Sequence, residues 1–304
     1  MTGSLLIKST GQRQPDTHRI WKKPPRRGPH SIIYLVNVME KQPILFLDSG
    51  IGGIPYCRYF HRKNPAESIV YLADRLRFPY GIWEKQELST VLIALTDQII
   101  KIVNPKIIVI ACNTASLAAL SQLRDHFPAL PFVGTVPAVK PAALASKTGR
   151  IGVLGTELTV KQSYIRELAA QYGNGEVISI AAPELVEFVE ERIKFASSEE
   201  KTEMARGYLN RFRAAGADTV VLGCTHFLFL EEEFRREAAP DITVFESVKG
   251  VSQRIESLVA ETVSADNAAS VYNRLLLTGT TAPEASWIAW AKRLNFNLSL
   301  LGEK

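Results

Sequence analysis

The feature that most restricts how this chain can fold is a succession of short apolar runs, hydrophobic without alternation, separated by amphipathic stretches. ILFL (44–47), SIVYLA (68–73), IIVIA (107–111), PFVG (131–134), IGVLG (151–155), EVISIA (176–181), TVVLG (219–223), ITVF (242–245) and RLLLTG (274–279) share this character. A strand that is apolar on both faces must be covered on both. The pattern therefore predicts an α/β protein whose mostly parallel sheets are flanked by helices.

The runs also repeat. ILFLDSG corresponds to IGVLGTE about one hundred residues later, SIVYLADR to EVISIAAP, and IIVIACNT to TVVLGCTH, in the same order within each half. Two similar α/β domains are expected, with the active site in the cleft between them. The first spans 41–136 plus 247–304 and the second 137–246. Cys112 and Cys224 fall at equivalent points of the third pair, which places the two thiols on opposite walls of that cleft.

Residues 1–40 read differently, as a basic, flexible arm. WKKPPRRGPH and the apolar stretch SIIYLVNV show no helical or strand periodicity. Met39, just before the first strand, is an alternative natural start. The arm holds seven Lys/Arg and two acids, while the remaining 29 basic and 29 acidic residues cancel, so the whole net charge of +5 lies in the arm. A neutral body gives no reason to expect nucleic acid or an anionic membrane as partner. No apolar run approaches the roughly 20 residues that a membrane-spanning helix needs. Three cysteines do not make a disulfide framework, and a reducing cytoplasm fits them best.

In open α/β sheets ligands bind beyond the carboxyl ends of strands, where helices present free N–H groups. Three polar clusters lie there: Asp48-Ser49-Gly50-Ile51-Gly52-Gly53, Cys112-Asn113-Thr114-Ala115-Ser116 and Cys224-Thr225-His226. The glycines of the first allow a tight turn and close approach to an anionic group, or simply a strand-to-helix turn. Cys57, in IPYCRYF, reads as core packing. Cys112 and Cys224 each follow an apolar strand near a helix start, an environment expected to favour thiolate. Cys224 and His226 without a second ligand pair make a poor zinc site. Two opposed thiols suit racemisation: one takes a proton from one face of an α-carbon while the other delivers one to the opposite face. Asp48 and His226 are the groups available to hold one thiol protonated and the other not.

With these residues in view the chain resembles the glutamate racemases over roughly residues 43–255. The shared motifs are LDSGIGG, RFPYG (77–81), ACNTAS (111–116), VLGTELTVKQSY (153–164), PELVEFVE (183–190) and LGCTH (222–226). The resemblance implies that Cys112 and Cys224 are paired acid/bases assisted by Asp48 and His226, with Glu190 a more distant contributor. It implies that Ser49, Tyr80, Gly81, Asn113, Thr114, Thr159 and Thr225 hold the substrate. It further implies a homodimer that uses no cofactor, neither pyridoxal phosphate nor metal, and supplies D-glutamate for the bacterial cell wall. The chain departs from the family in having Ala73-Asp74-Arg75 where Gly-Asp-Thr is usual, Phe-Leu-Phe-Leu (227–230) after GCTH, and Glu246-Ser247 where Asp-Ser is common. Two other readings compete: an aspartate racemase with the same thiols, and a binding protein that keeps the scaffold and acts on nucleic acid through the arm.

Overall fold

A computed structural model describes residues 31–32, 41–173, 175–261 and 270–302. Almost all of the arm, including its basic cluster, therefore lies outside the described residues. The strands are β1 (Ser31–Ile32), β2 (Ile44–Asp48), β3 (Ile69–Ala73), β4 (Ile107–Ile110), β5 (Phe132–Gly134), β6 (Arg150–Gly155), β7 (Glu176–Ala181), β8 (Thr219–Leu222), β9 (Thr243–Phe245), β10 (Asn273–Thr278) and β11 (Asn297–Leu301). They form two sheets, ordered β1-β11-β10-β3-β2-β4-β5 and β7-β6-β8-β9. All pairings are parallel.

The sheet order shows the physical content of the repeat. The run β3-β2-β4-β5 in one sheet matches β7-β6-β8-β9 in the other, so each sequence pair occupies the same place. In both, the chain enters at a central strand, adds a neighbour on one side and then crosses to the other. The crevice where this direction reverses lies at the carboxyl ends of β2 and β4 in one sheet, and of β6 and β8 in the other. Asp48 and Cys112 leave the first pair; Thr156 and Cys224 leave the second.

Apolar runs become strands because helices cover both faces. Every residue of β2, β3, β4 and β8 is buried. The helices are α1 (Ile54–Lys63), α2 (Lys85–Val103), α3 (Asn113–His126), α4 (Val139–Ala145), α5 (Glu157–Val160), α6 (Ser163–Gly173), α7 (Pro183–Glu187), α8 (Ser198–Ala214), α9 (Glu231–Ala238), α10 (Val248–Glu261) and α11 (Ala285–Leu294). Their ends follow local chemistry. Ser197 and Glu200 form a reciprocal cap at the start of α8, and α2 stops at Asn104 in the left-handed conformation. Among the described residues no helix is long and apolar enough to cross a membrane.

Two strands escape the reading of the sequence. In β11, NLSLL, polar residues interrupt the leucines and only Leu301 is buried, so the strand lacks a continuous apolar run. β1 is two residues at the sheet edge, paired with β11 through Ser31 and Ser299.

Candidate active site

The polar clusters meet in a cavity of about 310 Å³ between the two sheets. From the first sheet come Ser49, Tyr80, Gly81, Cys112 and Thr114; from the second come Thr156, Glu190, Cys224 and His226. Asp48, Asn113, Thr159 and Thr225 do not line the cavity but are buried beside it. Cys57 is buried in the apolar core with α1, where the sequence places it.

Cys112 is the N-cap of α3, as its position after β4 leads one to expect. The expectation that this setting favours thiolate is corrected. Burial and the neighbouring Asp48 carboxylate push the Cys112 thiol well above its ordinary range, and the N–H groups of Ala115 and Thr114 do not offset them. Asp48 is fixed by two donors, the Gly50 N–H to Oδ1 at 2.8 Å and the Thr225 hydroxyl to Oδ2 at 3.2 Å. Burial raises its pKa, against the opposing charge of His226.

Cys224 lies at the matching strand end but precedes a 3₁₀ turn, Thr225–Leu230, rather than an α-helix. Its sulfur is 3.8 Å from His226 Nδ1, and His226 Nε2 is 2.7 Å from Glu190 Oε1. The imidazole is buried, which disfavours its charge, yet contact with the Cys224 sulfur and the Glu190 carboxylate outweighs this and holds its pKa well above 6.5. Glu190 is thus a direct neighbour of His226, nearer the chemistry than the resemblance implies. It projects from a wide π-helical turn, Phe188–Arg192, that continues α7, a local form common at functional positions.

The glycines of the DSGIGG loop have a specific task here. The Ile51 N–H donates to Glu190 Oε1 at 2.7 Å, so the loop does approach an anionic group, and that group is the protein's own. A Cβ on Gly50 would collide with the Glu190 carboxylate, and one on Gly52 would come within 2.5 Å of His226 Nδ1 and Thr225 Oγ1. In both cases the side chains that would have to move belong to the site itself.

The proposed substrate-holding residues separate into groups. Ser49, Gly81 and Thr114 line the cavity. Tyr80 also lines it, but its hydroxyl donates to Asp74 Oδ2 at 2.9 Å, leaving its ring and backbone to face the cavity. Asn113 is buried, with neither its amide nitrogen nor its oxygen paired among the described residues. Thr159 is fully buried behind Thr156, which holds its hydroxyl at 3.0 Å. Thr156 also meets Thr114 across the cleft at 3.0 Å and lines the cavity, a polar position that the sequence reading missed, as it missed Glu157, Glu187 and Glu191 on the same wall. The repeat carries the missing signal: aligning ILFLDSG with IGVLGTE sets Thr156 opposite Ser49. Among the described residues no group of three His, Cys, Asp or Glu side chains is disposed to hold a metal ion.

Comparison with known proteins agrees with this architecture. A sequence profile described as Asp/Glu/Hydantoin racemase matches residues 58–253. A glutamate racemase of Roseiflexus sp. (strain RS-1) is 39% identical over 244 residues, covering 80% of this chain and 89% of the relative. One from Shewanella sp. (strain MR-4) is 39% identical over 236 residues, 77% of this chain and 85% of its own. The crystal structure of Escherichia coli glutamate racemase in complex with L-glutamate and activator UDP-MurNAc-ala superposes with a TM-score of 0.76 at 29% identity. It covers 86% of this chain and 99% of that one. On the span matched and the identity of these relatives, the chain belongs to the Asp/Glu/Hydantoin racemase family.

Proposed function

We propose that the protein is a glutamate racemase that interconverts L- and D-glutamate by moving a proton at the α-carbon between Cys112 and Cys224. The observation that carries this reading is the placement of two strand-end cysteines, one from each sheet, on the wall of a single cavity. A proton abstracted from one face by one sulfur is replaced on the other face by the opposite sulfur, and the groups exchange roles with direction. Under this reading Asp48, beside Cys112, and His226, held by Glu190 and facing the Cys224 sulfur, assist the two thiols as they exchange the proton. Ser49, Thr114 and Thr156 supply neutral hydrogen-bonding groups for the substrate's carboxylates and ammonium, with Gly81 at the wall and Asn113, Thr159 and Thr225 supporting it from behind.

That its relatives are glutamate racemases supports glutamate rather than aspartate as the substrate. The two sheets are proposed as the cores of two domains, 41–136 with 247–304 and 137–246. The same family likeness supports a cytoplasmic homodimer that provides D-glutamate for peptidoglycan.

The test is to incubate the purified protein, without added cofactor, with L-glutamate, D-glutamate and L-aspartate and follow optical rotation. Racemisation of glutamate in both directions is expected. Activity on aspartate alone keeps the two-thiol chemistry and changes the substrate. A folded protein with reduced thiols that acts on none of them overturns the proposal.

A further inference from the structure

We propose that Asp74 is a positioning residue for the loop 75–82, holding Tyr80 and Gly81 at the cavity wall from a carboxylate outside the cavity. The inference rests on the racemase reading for the identity of the substrate, but its geometry stands independently. Asp74 directly follows β3, and its N–H donates to the Asp48 carbonyl at 2.8 Å, which anchors it beside the central strand. Its side chain is fully buried and accepts three hydrogen bonds. The Tyr80 hydroxyl donates to Oδ2 at 2.9 Å, while the Thr278 hydroxyl and Arg77 Nη1 reach Oδ1 at 2.8 and 3.0 Å. One carboxylate thus joins both 3₁₀ turns of the loop, Arg75–Arg77 and Tyr80–Ile82, to β10.

Arg75 reinforces the same join. Its Nε donates to the Thr278 carbonyl at 2.9 Å and its Nη2 to the Thr281 carbonyl at 2.5 Å, while Nη1 meets the Glu284 carboxylate at 3.1 Å. The Leu76 N–H donates to the Thr278 hydroxyl at 3.2 Å. The loop that lines the cavity is therefore fastened to β10 and the approach to α11, a region beyond the residues matched by the family profile. Arg75 stands where the resembling family usually has threonine, so its contacts to Thr278, Thr281 and Glu284 are the part of the clamp that departs from that pattern, while Asp74 and Tyr80 follow it. A buried carboxylate is stable only when its lone pairs are satisfied, and here three donors converge on it. Asparagine would keep the shape but turn an N–H toward these donors, and the loop should loosen.

Asp74→Asn and Tyr80→Phe would be compared with wild type by hydrogen exchange of the 75–82 amides and by kcat and KM for glutamate. Asp74→Asn is expected to speed exchange in the loop while the amides of β2 and β4 stay protected. It is expected to raise KM by about tenfold with kcat within about threefold, since ground-state and transition-state binding weaken together. Tyr80→Phe, which removes one donor and keeps the ring, should shift both readouts in the same direction by less. Unchanged loop exchange in both variants, or a fall in kcat at unchanged KM, overturns the inference. Should wild type prove inactive on amino acids, the racemase reading fails while loop exchange still decides the role of Asp74. Should Asp74→Asn not fold, Tyr80→Phe decides it alone.

Discussion

Cys112 and Cys224 end equivalent strands of the two repeated sheets, but they are housed differently. Cys112 caps a 14-residue helix and has the buried carboxylate of Asp48 as its electrostatic neighbour. Cys224 precedes a 3₁₀ turn and faces an imidazole that Glu190 holds from behind. The repeat sets two sulfurs at one cavity, and the residues around them make the pair unequal. A proton transfer that must run both ways needs this inequality, because two identical thiols would both be protonated at rest and neither would be a ready base. The first strands of the repeat already differ in the same sense: Asp48 ends β2 where Gly155 ends β6.

The strongest way to break the comparison is to remove each sulfur. Cys112→Ala and Cys224→Ala are each expected to lower racemisation by roughly 10³-fold or more, since a missing acid/base cannot be replaced at that distance. Chiral chromatography of the glutamate formed would check this. If either variant kept near-normal activity, the two-thiol scheme would fall.

Next in size are the partners of Cys224. His226→Gln and Glu190→Gln are expected to lower kcat by about 10²-fold and tenfold respectively. Because the equilibrium constant between enantiomers is one, kcat/KM must fall equally in both directions, so the asymmetry has to be sought in kcat itself. The L-to-D and D-to-L values should diverge in these variants. Equal kcat losses in both directions would show that the housing of the two thiols does not matter.

Gly50→Ala acts on the same side indirectly. Its Cβ would drive the Glu190 carboxylate from the Ile51 N–H, and a loss of about tenfold is expected from the displaced support. The double variant with Glu190→Gln should be no worse than the more damaged single one, because both act through one contact. Additive losses would separate Gly50 from Glu190.

The smallest effect is on pH dependence. His226 is held well above 6.5, so its imidazolium persists through neutrality and is lost only as pH rises past the elevated value. Cys112, also raised, stays a thiol over the same range. The profile of kcat/KM should therefore show no inflection near pH 6.5 from His226 and should decline on the alkaline side as the imidazolium and the Cys112 proton are lost. An inflection near 6.5 would show that His226 is not held charged.

Much of this was legible in the residues. Continuous apolar runs identify β2 to β10, most plainly β2, β3, β4 and β8, which are buried throughout and have no polar face to show. The repeat locates both cysteines, and the polar clusters after β2, β4 and β8 mark the carboxyl-end crevice. The rest depends on distances that the sequence does not carry. Glu190 lies 36 residues from the imidazole it holds, and the π-helical turn that presents it has no local sequence signal. The raised pKa of Cys112 comes from burial and from Asp48 on the neighbouring strand, whereas its helix-start position alone suggests the opposite. Asp74 and Arg75 look like loop charges until β10 is known to lie beside β3. β11 stays hidden because Asn297 and Ser299 interrupt its leucines and only the two-residue β1 lies on its outer side.

The most direct test of the central claim is the origin of the proton. L-Glutamate would be incubated with the wild-type protein in D₂O, and the α-position of each enantiomer read by NMR after chiral separation during the first few per cent of reaction. With two sulfurs on opposite faces, the D-glutamate formed carries deuterium from the first turnover while the recovered L-glutamate keeps its proton. Should the D-glutamate instead retain the substrate's own proton, or both enantiomers exchange at the same rate, a single base is at work and the assignment of opposed roles to Cys112 and Cys224 is contradicted.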